Sequence, residues 1–440
     1  MIRPLLKLAN TVILPLGLCH LALSIAIAQD LSKPSTPSIE LLQELPEVAA
    51  VKPVDESAKT PTITTEPKIV AAAKLRPQSD TLSGSDPKPN ASRPGYLETV
   101  QGMDSEVQIT GISPNADFGA HSYSKRQVWN ADETKLDIGR KILDAKNNYK
   151  VLETHPLSGE RIWSTKNPNL IYGLARNPAK LNNFATYNIS TQKLTFLREF
   201  ANYEKCTIGE YEGSLSIDDR YVLLSCVTSS GTNDLISYDI KDNQVLGTAR
   251  AASDFNWGSY SQSGQYVIVE NNAPGQNIKR ELIRYDRNME NRTVISEQTN
   301  HGDLGVDENG DDVYVMIAWD KISYVRLKDG KRVSLSITDR AGDGHVSCRA
   351  YKRPGWCYFS SKDQFQRLAA VKISEHDSVV EVWGFSKATS SSYLTQPKVS
   401  VSPSGTKLVY TSDWSNNLNQ NTPHPGNSRE PREFLLELKN

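Results

Sequence analysis

The feature that most constrains this chain is a strand, tight turn, strand pattern that recurs seven times. Asp132 to Thr134 precede a strand beginning at Lys135, Asn167 to Asn169 one at Leu170, and Asp218 with Asp219 one at Arg220. Ser263-Gly264, Asn309-Gly310, Pro354-Gly355 and Ser404-Gly405 precede strands at Gln265, Val313, Trp356 and Lys407. With Glu133, Asn169, Asp219, Gly264, Gly310, Gly355 and Gly405 as markers, the successive separations are 36, 50, 45, 46, 45 and 50 residues. A period of that length holds one four-stranded sheet, which predicts an all-β fold, a seven-bladed β-propeller. A pair of β-sandwiches does not account for so regular a spacing. Gly, Asn and Asp suit these turns because they tolerate the positive φ of a tight reversal.

Later strands of each repeat are also visible, at Leu235, Leu282 and Ile322. The last repeat ends in Phe434-Leu-Leu-Glu-Leu without a fourth strand. A ring of sheets needs closure, so the extended segment Glu106 to Ile112 is expected to supply the missing outer strand and remove an exposed edge.

Composition divides the rest. Arg3 and Lys7 precede a mostly apolar run from Leu8 to Ile27, and Ala26-Ile27-Ala28 has the small-x-small form cut by a signal peptidase, so residues 1–28 are expected to be a signal peptide. Residues 29–100 hold ten of the 23 prolines and one aromatic, Tyr96. That segment cannot bury enough apolar surface to offset the entropy of ordering, and reads as a disordered linker before a propeller over 101–440. The 50 basic and 51 acidic residues leave a net charge of −1, so nucleic acid is not an expected partner. Neither is membrane insertion, since no further apolar run is long enough. The expectation is a monomer, secreted or periplasmic.

In a propeller, the starts of the innermost strands gather around one mouth of the channel. These starts fall about nine residues before each marker, which brings together His301, His345 and Gln396. His121 and Tyr211 hold similar positions, and Arg140 begins a loop on the same face. Cys206 and Cys226 flank paired strands and read as a disulfide. For Cys348 and Cys357 two readings stand. If Lys352 to Gly355 form a four-residue turn, Cys348 faces Phe359 and the two thiols are diagonal neighbours about 7 Å apart, at the outer limit for a disulfide. Two thiolates so placed, with His301 and His345, would also make a Cys2His2 zinc site.

The stretches His121-Ser-Tyr-Ser-Lys-Arg-Gln-Val-Trp-Asn-Ala-Asp, Glu212-Gly-Ser-Leu-Ser, Gly344-His-Val-Ser-Cys-Arg with Arg353-Pro-Gly-Trp, and Val401-Ser-Pro-Ser-Gly to Trp414 resemble exported propellers of the TolB-like type. Within that group they are most similar to the propeller polysaccharide lyases, the ulvan lyases in particular, with oligogalacturonate lyase more distant. The resemblance spans roughly residues 105 to 415 and implies cleavage of a uronate-containing acidic polysaccharide by β-elimination. That reaction needs a group to neutralise the carboxylate, a base for the C5 proton and an acid for the leaving oxygen. His, Tyr and Arg take these roles in such lyases, which implies His121 as the histidine, Tyr203 or Tyr211 as the tyrosine and Arg140 as the arginine. A structural metal in similar lyases favours zinc at His301, His345, Cys348 and Cys357. Oligogalacturonate lyase carries metal-binding histidines just after a glutamine like Gln396, whereas Pro397-Lys-Val-Ser-Val has none. The rival expectation is a non-catalytic TolB-like propeller that binds glycan or protein. A hydrolase is disfavoured because no paired carboxylates recur at the mouth.

Overall fold

The computed structural model describes residues 93–102, 107–121, 123–177, 179–210, 212–272, 280–318, 321–335, 344–361, 367–390, 393–414 and 431–438. The expected signal peptide and most of the expected linker lie outside them. Among the described residues there is no α-helix, only two short 3-10 turns, Ala116–Phe118 and Tyr393–Thr395, and so no helix long and apolar enough to cross a membrane.

Pairing groups the strands into seven successive antiparallel sheets. In sheet one, Lys135–Ile138, Lys141–Asp144 and Lys150–Thr154 pair in order. The innermost place is taken by an irregular segment that is bridged at His121–Ile138 and Trp129–Leu136 and turns between them at Tyr123 to Arg126. Sheet two runs from Ser158–Trp163 to Lys193–Glu199 and sheet three from Lys205–Ile208 to Gln244–Arg250, the two touching through one parallel pair, Lys205 with Leu181. Sheets four, five and six begin at Phe255–Tyr260, Gly302–Val306 and Gly344–Ser347. Sheet seven comprises Ser400–Val401, Lys407–Ser412 and Arg432–Leu438.

Closure occurs as the sequence led us to expect. Val107–Gly111 pairs with Arg432–Leu438, from Val107 opposite Leu438 to Gly111 opposite Phe434. A further strand, Thr99–Gln101, adds to Val107–Gly111, so the ordered sheet starts before residue 101. Thr99, Val100 and Gln101 can extend an existing edge without a core of their own, a possibility that proline content does not reveal.

The turns explain the repeat. Glu133, Asp219, Gly264, Gly310, Gly355 and Gly405 all have positive φ, between 60° and 80°. At Gly405 space is also decisive, since a Cβ there would sit 2.2 Å from the Tyr358 hydroxyl, which donates to the Gly405 carbonyl at 2.8 Å and ties sheet six to sheet seven. The remaining turn uses a side chain instead: Oδ1 of Asn167 accepts from the Asn169 amide at 3.0 Å.

Strands such as Tyr221–Val227 are buried at nearly every position, so both faces are covered and the sheets pack face to face. One such interface gathers Tyr358, Trp383, Tyr410 and Phe434 between sheets six and seven.

The hairpin carrying Cys348 and Cys357 differs from the expected register. Val346 pairs with Phe359 and Ser347 with Tyr358, a shift of two residues that places the cysteines directly opposite. The reversal spans Arg349 to Trp356, with the Arg353 amide donating to Ala350 and that of Lys352 to Pro403 of the next sheet. That longer loop is what the four-residue turn missed. Cys348 and Cys357 are therefore disulfide-bonded, with Cα atoms 4.3 Å apart. Cys206 and Cys226, paired across sheet three, form the second disulfide, as expected.

Candidate active site at the channel mouth

Four chain segments bring side chains together at the starts of the innermost strands. His301 immediately precedes Gly302–Val306, His345 lies in Gly344–Ser347, Gln396 follows the turn Tyr393–Thr395, and Tyr123 stands in the inner segment of sheet one. The Tyr123 hydroxyl lies 2.9 Å from Nδ1 of His301. The two histidine rings meet edge to face at 5.1 Å, and His345 meets Tyr123 the same way at 5.0 Å. Nε2 of His345 donates to Oε1 of Gln396 at 2.9 Å. His345 is fully buried, whereas Tyr123, His301 and Gln396 are half-buried and open toward the mouth. A phenol and two imidazoles in mutual reach are groups able to give and take protons near neutral pH.

Cations flank this cluster. Lys125 is 5% exposed; its Nζ lies 4.3 Å over the Trp257 ring and 3.0 Å from the Glu212 carboxylate. Lys398 is 6% exposed; its Nζ lies 3.9 Å over the Tyr393 ring and donates to the Tyr393 carbonyl at 3.0 Å. Tyr393 in turn stacks nearly parallel to Tyr123 at 6.4 Å. The Tyr393 side chain is largely open at its surface, yet partial desolvation against the rim, with the Glu212 charge adding, pushes its phenol up to about 12, so it stays neutral in the physiological range.

Deeper in the channel, Arg349 braces the wall. It donates to Asp303 at 2.8 Å and to the Lys125 carbonyl at 2.7 Å. Burial raises the Asp303 pKa despite the opposing Arg349 charge. Gln127, Trp163, Ser214, Gln262 and Tyr351 line a cavity beside Arg349. These residues come from sheets one, two, three, four and six, as a central channel requires.

Of the residues expected from sequence, His301, His345 and Gln396 converge and the others do not join them. His121 is buried, with Nδ1 against the Glu433 carboxyl group and Nε2 against the Lys398 carbonyl. Both nitrogens are thus engaged by sheet seven, where His121 fastens the ring. Arg140 sits exposed on a positive-φ turn and donates to the His155 carbonyl at 3.0 Å. The Tyr203 hydroxyl donates to Asp234 at 3.1 Å; burial and that carboxylate raise its pKa, and its ring packs on the apolar interface of sheets two and three. Tyr211 lies outside the described residues. The Cys2His2 zinc site is corrected: the Cys348–Cys357 disulfide removes both thiolates. No group of three or more metal-binding His, Cys, Asp or Glu side chains occurs among the described residues. Tyr123, Lys125, Tyr393 and Lys398 were not expected. Only Tyr123 and Lys125 had a usable signal, standing two and four residues after His121 in the same stretch.

No family model and no curated protein matches this chain. Solved structures do. An oligogalacturonate lyase from Vibrio parahaemolyticus superposes with a TM-score of 0.53 at 12% identity, covering 77% of this chain and 96% of that one. A second oligogalacturonate lyase, in complex with manganese, gives 0.54 at 12% identity over 79% and 97%. TolB from Acinetobacter baumannii aligns at 14% identity over 61% and 65%, with a TM-score of 0.35. At these identities the likeness shows the fold alone, a β-propeller.

One of those neighbours holds a metal, and His301, His345 and Gln396 are the residues that would hold one here. They do not fit a resident dication well. The set is two imidazoles and an amide, whereas hard dications are held by carboxylates. Lys125 and Lys398 stand close by, and Glu212 is already paired with Lys125.

Proposed function

We propose that this chain is a seven-bladed propeller lyase, exported to the periplasm or beyond, that cleaves a uronate-containing polysaccharide of the ulvan type by β-elimination. The observation that carries the reading is the contact of Tyr123 with His301 beside His345 at the channel mouth. In this reaction a base takes the C5 proton, the electron pair forms a C4–C5 double bond, and the C4–O bond breaks as an acid protonates the leaving oxygen. Tyr123 and His301 are the proton-transfer pair. His345, held through Gln396, presents its ring edge to both. The ammonium groups of Lys398 and Lys125 offset the uronate carboxylate, which acidifies the C5 proton. Both disulfides and the apolar N-terminal run support export, since disulfides persist in oxidising compartments. A chain of balanced charge with a closed ring of sheets is expected to act as a monomer.

The test is incubation of the purified protein with ulvan, glucuronan and polygalacturonate while following ultraviolet absorbance. Elimination creates an absorbing unsaturated uronate at the new non-reducing end, which hydrolysis and binding do not. Absorbance growth on at least one polymer is the expected result. Retention of these polymers without product would replace the lyase by a binding propeller.

A further inference from the structure

The rim beside the cluster carries a feature that the proton chemistry does not use. Tyr393 and Leu394 are adjacent in the chain and are 57% and 62% exposed, more than any other large apolar side chain described. They lie on the 3-10 turn that leads directly into Gln396, the partner of His345. Lone exposed apolar residues need no explanation, but an aromatic and aliphatic pair at the edge of a polar site marks a contact surface. Lys398 sits on the Tyr393 ring at 3.9 Å. Its backbone is fixed in place, because its carbonyl accepts from His121. Lys125 pairs with Glu212, and Lys398 lies against the Tyr393 ring.

We infer that the Tyr393–Leu394 step, with Lys398 against it, is a subsite for an acidic pyranose: the step receives the apolar face of the sugar ring, and the ammonium selects a ring that bears a carboxylate. This deepens the uronate reading above and rests on it. A pyranose has one face of C–H groups that packs on an aromatic ring, whose faces carry partial negative charge. An anionic ring would be repelled by a bare tyrosine. The Lys398 ammonium against Tyr393 offsets that repulsion and discriminates by sign against neutral sugars. The subsite lies next to His345 and Tyr123, so a uronate held there puts its neighbour in the chain over the proton-transfer pair.

The experiment is calorimetric titration of the mature protein with short oligoglucuronan and with its methyl ester, accompanied by thermal melts. Wild-type protein is expected to bind the acid more tightly than the ester. Tyr393→Ala, at an exposed site that leaves folding intact, weakens both about ten-fold, while Tyr393→Phe weakens neither. Lys398→Met removes the preference for the acid and leaves ester binding. Wild-type affinity for both probes in Tyr393→Ala, or a retained acid preference in Lys398→Met, would overturn the subsite. Acid binding with these dependences but no unsaturated product would overturn the elimination and leave the subsite standing. Cleavage of the polymer by Tyr393→Ala with unchanged KM would do the reverse.

Discussion

Tyr123→Phe separates chemistry from architecture at the proposed centre. The substitution removes one oxygen, the one 2.9 Å from Nδ1 of His301, and keeps the ring that meets His345 at 5.0 Å and Tyr393 at 6.4 Å. Since His301 is half-buried, the Nδ1 left behind can turn to water, and the stability cost is at most about 0.5–1.5 kcal/mol. The effect on turnover is of another size. Loss of one acid-base group lowers the rate by roughly 10²- to 10⁴-fold, which is about 3 to 5 kcal/mol of barrier. The assay is the initial rate of unsaturated uronate formation under saturating polymer, with a thermal melt of the same preparation. Expected are a nearly unchanged melt, an unchanged KM and a kcat reduced by about 10² or more. A kcat within about ten-fold of wild type in a well-folded mutant would remove Tyr123 from proton transfer and refute the role given to its contact with His301.

His121→Ala should behave in the opposite way, because it strips a partner from the buried Glu433 carboxyl group. Unfolding experiments should show a loss of about 1–3 kcal/mol, with turnover per folded molecule within a few-fold of wild type; a catalytic-scale loss without destabilisation would return His121 to the mechanism. Replacing both Cys348 and Cys357 by Ser should cost roughly 2–3 kcal/mol by releasing the loop they close, and mass spectrometry of the native protein should find them linked; free thiols with bound zinc would reverse the correction. Chelation by EDTA should leave cleavage unchanged, given the poor donor set at His301, His345 and Gln396, and activity lost to EDTA and restored by manganese would contradict that. Asp137 supplies a pH signature: burial would raise its pKa, but the Arg161 charge at 2.8 Å and the His155 contact outweigh burial and hold the carboxyl well below its usual range. A depressed carboxylate stabilises the fold above its unfolded pKa of about 4 and loses that contribution as pH falls. The stability gap between wild type and Asp137→Asn should therefore be largest near neutrality and shrink in acid.

The architecture was legible because it is written locally. Six of the seven turn markers adopt positive φ, a demand that only a few residue types meet, and such residues recur visibly at a fixed period. The closing strand was legible because a ring that ends one strand short has one place to find it. The spacing that recovered His301, His345 and Gln396 works for the same reason, since it counts residues back along one strand. It does not say which way a side chain points. His121 obeys the spacing loosely and turns toward Glu433, 312 positions away, and nothing near it in sequence announces that partner. The Cys348 hairpin failed similarly, because the loop from Arg349 to Trp356 is held open by Pro403 in the next sheet.

What sequence similarity marked as one stretch is mechanically three contacts. The segment that opens sheet one turns at Tyr123, whose carbonyl accepts from the Arg126 amide at 2.9 Å, and this turn rather than a strand face sets His121, Tyr123 and Lys125 on three different partners. His121 is tied to Glu433 and Lys398 of sheet seven, Tyr123 reaches His301 at the start of sheet five, and Lys125 reaches Glu212 and Trp257 in sheets three and four. A segment with partners on both sides of the ring crosses the mouth of the channel. Its position then fixes the geometry of the cluster more than any single sheet does. The residue that anchors it, His121, has both ring nitrogens engaged by sheet seven, so this stretch can resemble an active-site motif while its histidine serves the fold.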